Sequence, residues 1–258
     1  MLSLRLLGVA ALCSACLLRA DNNVPTTAVV VELFTSEGCS SCPSADEVLS
    51  RLDRRQLVGN AQVIALEEHV DYWNQLGWTD RFSSPLYRSR QSEYASVFRA
   101  NDIYTPQMVV GGQVQFVGDD YTRATREISR LAVPGIYDLR LTPEPNQQDV
   151  NLTDLSVLVR MQRDTKPQLS DIYLAVTESN LSSYVQHGEN AGRTVKHAPV
   201  VRSFGVIGSI EAKRFNQAGI KSTLKLPQEW RRENLRAVVF VQDRATHAIV
   251  AASSVDLK

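Results

Sequence analysis

The sequence predicts an α/β layer followed by an all-β, sandwich-like half. Three observations carry that prediction. From Ala28 to Leu131, apolar runs of strand length alternate with amphipathic helical periods. From Ile136 onward, about seven short runs of alternating hydrophobicity follow, with no convincing helix between them. Val133-Pro134-Gly135 separates the two patterns and places a boundary near 134–136.

Each element has a local reason. Ala28 to Phe34 is β-branched and apolar at successive positions, as in a strand buried on both faces. Ser44 to Leu57 is helical, with Val48, Leu49, Leu52 and Leu57 at helical spacing. Ser44-x-x-Glu47 resembles a capping box, and Pro43 suits a first helical turn. Gln62 to Leu66 is a second strand. Asp80 to Arg99 reads as a helical region interrupted at Ser83-Ser84-Pro85, with Leu86, Tyr87, Tyr94, Val97 and Phe98 inward. Gln107 to Val110 and Gln113 to Val117 flank Gly111-Gly112, a hairpin signal. Asp120 to Leu131 closes the layer as an amphipathic helix. The later strands are Tyr137 to Leu141, Val150 to Met161, Ile172 to Glu178, Val195 to Ile210, Gly219 to Leu226, Leu235 to Gln242 and Ile249 to Val255.

Composition narrows the function classes. The chain has 258 residues, enough for two domains of about 110 to 130 each. Its 28 basic and 28 acidic side chains balance, and no basic patch marks a nucleic-acid partner. Residues 1–20 read as an export signal. Arg5 precedes an apolar run from Leu6 to Leu18 that is too short to span a bilayer. Cleavage after Ala20 gives a secreted, periplasmic chain. The alternative is a lipoprotein-like cut that leaves Cys16 lipidated and the protein tethered to a membrane. Removal of the signal takes away Cys13 and Cys16 and leaves only Cys39 and Cys42.

Those two cysteines carry the chemistry. Gly38-Cys39-Ser40-Ser41-Cys42-Pro43 follows a buried strand and opens a helix. A thiol at a helix N-terminus feels the positive end of the peptide dipoles, which favours the nucleophilic thiolate. A disulfide closing so short a loop restricts the unfolded chain very little, so stability alone is a weak reason for it. The alternative is an inert structural pair. Tyr104-Thr105-Pro106-Gln107 supplies a Thr-Pro just before a hairpin strand.

Through these motifs, residues 28–133 resemble a thioredoxin-like domain lacking the first helix of thioredoxin. More narrowly, Glu32 to Pro43, His69-Val70-Asp71-Tyr72-Trp73-Asn74-Gln75-Leu76-Gly77-Trp78-Thr79-Asp80 and Tyr104 to Gln107 resemble a bacterial secreted family of unknown function numbered 1223. The resemblance implies that Cys39 is the exposed attacking thiol and Cys42 the resolving one. It implies a cis bond at Pro106, with Thr105 and Pro106 presenting backbone to an extended protein substrate. The implied activity is thiol–disulfide exchange with a protein dithiol or disulfide and a redox partner. Ser40-Ser41 between the cysteines fixes no redox direction. Residues 136–258 form the sandwich-like half, which supplies a partner surface.

His69 and Trp73 stand behind this pair as supporting residues. His69 either tunes Cys39 or anchors the loop from Glu67 to Trp78 by hydrogen bonds. Tyr72, Trp73 and Trp78 either pack over the helix or form a peptide-binding rim. Glu67, Glu68 and Asp71 are candidate proton-shuttling carboxylates. A copper site at Cys39, Cys42 and His69 is a third reading. We assign no metal or other cofactor from the sequence, because a closed zinc site needs two more ligands and His187, His197 and His247 lie in the other half. His197 reads by default as a surface residue, with an interdomain strand as the alternative.

Overall fold

Strand β1 (Thr27–Thr35) is buried along both faces, which explains its lack of polar alternation. It pairs in parallel with β3 (Ala61–His69) and antiparallel with β4 (Gln107–Val110). Helix α1 (Cys42–Arg55) connects β1 to the short β2 (Leu57–Val58), which lies along β3. Leu57 therefore belongs to a strand, not to the helix. The helix starts two residues earlier than its periodicity suggests. Its N-cap is Ser41, while the Ser44 hydroxyl donates to the Ser41 carbonyl at 2.9 Å, so Ser44 is not the cap. Helix α2 (Pro85–Phe98) is capped by Ser84, which accepts from the Leu86 N–H. Strand β5 (Val114–Val117) and helix α3 (Tyr121–Leu131), capped by Asp120, complete this half.

The computed structural model describes residues 27–162, 166–211 and 215–258. The segment 1–20, expected from sequence to be an export signal, lies outside the described residues with Cys13 and Cys16. Within them, no helix is long and apolar enough to cross a membrane.

The later half contains β6 (Tyr137–Pro145), β7 (Leu152–Met161), β8 (Ser170–Glu178), β9 (Ser182–Tyr184), β10 (Thr194–Lys196), β11 (Val200–Ile210), β12 (Gln217–Lys225), β13 (Leu235–Asp243) and β14 (Ile249–Asp256). Strands β12, β7 and β6 make an antiparallel three-stranded sheet. Its inward residues Leu139, Leu155, Val157 and Val159 pack on Ile172, Leu174, Val176, Ala237 and Val239. The segment from Val195 to Ile210 is not one strand. It breaks at His197–Pro199, where β10 ends and β11 begins, because Pro199 has no N–H to continue a ladder.

The sheets of the two halves are continuous. One nine-stranded mixed sheet runs β14-β13-β8-β11-β3-β1-β4-β5, with β2 beside β3. The seam is narrow: Val200 pairs with Glu67 in parallel, and the Glu67 N–H donates to the Pro199 carbonyl at 2.9 Å. A second junction lies at the β4–β5 turn. Gly111 and Gly112 both adopt positive φ there, and the Ile249 N–H donates to the Gly111 carbonyl at 2.9 Å. A Cβ on Gly112 would lie 1.9 Å from the His247 carbonyl oxygen, so the close approach requires glycine.

Helix α2 crosses the seam. Tyr87 donates its hydroxyl to the Val201 carbonyl at 2.7 Å. Its inward face is more polar than its apolar pattern suggests: Leu86 is exposed, while Arg90 and Gln91 are buried. Arg90 binds Glu32 from β1 and Gln242 from β13, and its Nε lies 3.7 Å from Glu68 on β3. Burial first, then the charge of Glu32, holds the Glu68 carboxyl well above its ordinary pKa.

One guanidinium thus serves two buried carboxyl groups. Arg90→Ala leaves buried Glu32 without its ion-pair partner and is expected to cost about 3–5 kcal/mol in denaturant unfolding. Arg88→Ala, removing a half-exposed partner of Asp71 at 3.4 Å, is expected to cost less than about 1 kcal/mol.

Candidate functional site

The end of β1 and the start of α1 place the cysteine pair. The Cys39 N–H donates to the Ser36 carbonyl at 3.1 Å, and the Cys42 N–H to the Cys39 carbonyl at 3.2 Å. These turns bring the sulfurs together, and Cys39 and Cys42 form a disulfide. Cys42 is the first residue of α1, followed by Pro43. The Thr105–Pro106 bond is cis. Because Phe34 pairs with Gln107, the register brings Pro106 alongside the end of β1, just before the cysteine loop. Trp73 ties the loop after β3 to this turn, donating its indole N–H to Thr105 Oγ1 at 2.8 Å.

The expected exposure of Cys39 is corrected. Both cysteines are 0 % exposed, although Ser40 and Ser41 between them face solvent. The cover comes from the far half of the chain. Asn190 Nδ2 donates to the carbonyls of Glu37 and Cys39, each at 2.9 Å, and Glu189 accepts from the Ser40 N–H at 3.0 Å. Residues 186–194 are exposed except Asn190, which is fully buried as the plug. Gly188, at φ +80°, lies against Trp78, whose ring is 6.5 Å from that of His187. The Ser40 hydrogen bonds hold the Glu189 carboxyl below its ordinary pKa, so a negative charge sits at the N-terminal end of α1.

Beside the cysteine loop lies a buried cluster assembled at the seam. His69, the last residue of β3, faces Asp80 through Nδ1 at 2.6 Å and Glu67 through Nε2 at 2.9 Å. Both ring nitrogens are thus engaged by the anchoring of this loop. His197 is not a surface residue: it is 6 % exposed, with Nδ1 3.1 Å from the same Glu67 Oε1 and Nε2 3.2 Å from Ser183 Oγ. Glu67 Oε2 accepts from the Ala198 N–H. The Asp80 carboxylate also accepts the N–H groups of Glu37 and Phe82, and Trp78 donates to Glu37 Oε2 at 2.7 Å.

Charge balance follows from these contacts. Burial alone lowers an imidazole pKa, but the charge and hydrogen bond of Asp80, with Glu67, raise that of His69 well above its ordinary value. Burial likewise opposes the charge on His197, and the Glu37 and Glu67 carboxylates, which accept from the ring, overcome it, to about 9. Burial pushes the Glu67 carboxyl up, and the two histidines bring it below its ordinary value. Asp46, one helical turn after Cys42 on the buried face of α1, behaves oppositely. Burial and the Glu67 charge push it well up, and Thr35 Oγ1 donates to it at 2.7 Å. The hydrogen-bonding donors and acceptors of Glu67, His69 and His197 also lie within 4.8 Å of one another, a spacing compatible with a metal ion.

Of the residues expected from sequence, Cys39, Cys42, Thr105, Pro106, Trp73 and His69 fall in one region. Asn190, Glu189, Asp80, Asp46 and His197 join it without having been assigned there. Two had a signal: Asp80 closes the His69-to-Asp80 segment that carries the family resemblance, and His197 lies in a candidate interdomain strand.

The profile of a family described as "Protein of unknown function (DUF1223)" matches residues 30–242. None of the curated proteins matches. A structural-genomics crystal structure of a protein from Agrobacterium tumefaciens is similar at 25 % identity and TM-score 0.65, over 90 % of this chain and 96 % of that one. HBP35 of Porphyromonas gingivalis shares the fold at 14 % identity and TM-score 0.65, over 90 % of this chain and 76 % of that one.

Asn190→Ala removes two buried hydrogen bonds, together about 1–3 kcal/mol. The covering loop is expected to open roughly 5- to 100-fold more often. Reduction of the Cys39–Cys42 disulfide by dithiothreitol, followed by thiol labelling, should accelerate in that range. An unchanged rate means that Asn190 does not hold the cover.

Proposed function

We propose that this chain, which belongs to the DUF1223 family of unknown function, is an exported thioredoxin-like thiol–disulfide oxidoreductase whose cysteine pair is sheltered at rest. The observation that carries the reading is the Cys39–Cys42 disulfide at the first turn of α1, beside Thr105-Pro106 and roofed by an exposed loop with one buried plug. A roof held mainly by polar contacts opens more readily than a packed core. The export signal and an oxidising compartment agree with a closed disulfide.

The chemistry runs either way once the roof lifts. In the oxidising direction, a substrate thiolate attacks Cys39 and expels the Cys42 thiolate. A second substrate thiolate then attacks the mixed disulfide, leaving an oxidised substrate and a reduced cysteine pair for a redox partner to reoxidise. In the reducing direction, Cys39 thiolate attacks a substrate disulfide and Cys42 displaces the product. Thr105 and the backbone before Pro106 hold the extended substrate, and Trp73 fixes that turn through its bond to Thr105. Burial and the Glu67 charge disfavour the ionised form of Asp46, one turn from the resolving thiol. Glu189 disfavours the Cys39 thiolate while the loop is closed, so opening both exposes and activates the sulfur.

The complete burial of both cysteines favours a second reading: a thioredoxin-like binding module with a structural disulfide. The reduction potential separates the two. Structural disulfides lie below about −300 mV, and labile ones higher. We expect the pair to equilibrate above that value and Cys42→Ala to accumulate mixed disulfides on Cys39 in the periplasm. A potential below about −300 mV, with no trapped partner even in an Asn190→Ala background, leaves the binding module standing.

A further inference from the structure

We propose that Glu67, His69 and His197 form a buried site for one divalent transition-metal ion of the zinc class, pinning the two halves of the sheet together. The donor set differs from the cysteine pair, and the inference is independent of the redox reading.

The geometry supplies the ligands. His69 Nε2 and His197 Nδ1 converge on one atom, Glu67 Oε1, at 2.9 and 3.1 Å. Two donors on one tetrahedral zinc-class ion at about 2.0–2.2 Å sit roughly 3.3–3.6 Å apart, so an ion enters when each pair separates by a few tenths of an ångström. The other carboxylate oxygen is already occupied by the Ala198 N–H, which leaves Oε1 as a single ligand atom. Two imidazoles and one carboxylate match the three protein ligands of a zinc site with one open position.

The surrounding groups fix both rings for coordination. Asp80 Oδ2 lies 2.6 Å from His69 Nδ1, so that nitrogen carries the proton and Nε2 can offer its lone pair. Ser183 Oγ lies 3.2 Å from His197 Nε2, and Glu37 Oε1 lies 3.4 Å from it. The Glu37 carboxylate oxygen, which can only accept, favours the His197 proton on Nε2 and frees Nδ1. Glu37 Oε1 is otherwise a buried carboxylate oxygen with no hydrogen bond, directed at this ring.

The ligands come from both sides of the seam: Glu67 and His69 from β3, and His197 from the segment leading into β11. Phe82 packs edge-on to both rings, at 5.3 and 5.2 Å between centroids, and closes the cluster from solvent. An ion is therefore best loaded during folding.

The test uses the full chain with Cys13, Cys16, Cys39 and Cys42 each replaced by serine, which removes every thiolate ligand. The protein is unfolded with a chelator, refolded with Zn²⁺ or Co²⁺, and desalted. We expect about one ion per chain by elemental analysis and cobalt d–d absorption without a thiolate charge-transfer band. Glu67→Gln and His197→Gln should refold with unchanged circular dichroism and retain no ion. Refolded protein without metal overturns the proposal, as does uptake that survives Glu67→Gln. If both variants fail to refold, the cobalt spectrum of the parent decides: d–d bands of a nitrogen–oxygen site support the proposal, and their absence overturns it.

Discussion

Glu67 is the point on which the two halves depend. Its backbone N–H bonds Pro199, its side chain receives the Ala198 N–H, and its other oxygen faces two histidines. A carboxylate buried without such partners would be too costly to keep. The surrounding donors therefore explain both its burial and the place where β11 joins β3. The same junction carries the chain toward the loop that roofs the cysteines. The Glu67 contacts join the sheet, and Asn190 and Glu189 then cover the disulfide beside it.

Local chemistry was readable where it depended on neighbours in sequence. The run from Val29 to Phe34, the C-x-x-C at the head of a helix and the Gly111-Gly112 turn each carry their own reason to fold. The register from Phe34 to Gln107 then brings Thr105 and Pro106 to the cysteine loop. These features depend on steric preference, periodicity and turn geometry, all of which act over a few residues.

The remaining features depend on distant contacts that no local pattern records. Asn190 reaches the Cys39 carbonyl across 151 positions of the chain. Its isolated segment, Gly188-Glu189-Asn190-Ala191-Gly192, reads as an ordinary polar turn, yet it converts an expected exposed thiol into a buried disulfide. Glu32, Glu67 and Glu68 look like polar interruptions in apolar strands, but Arg90 and the two histidines make their burial possible. Periodicity also could not show that the two patterns share one sheet, since Val200 and Glu67 belong to different halves.

The continuous sheet gives the chain an indivisible architecture. Severing it near position 134 would strip β3 of its β11 neighbour and expose unpaired backbone along the cut. The earlier segment would then present a sticky border rather than a finished surface. In this protein the boundary between sequence patterns falls within a chain whose strands share one hydrogen-bonded layer.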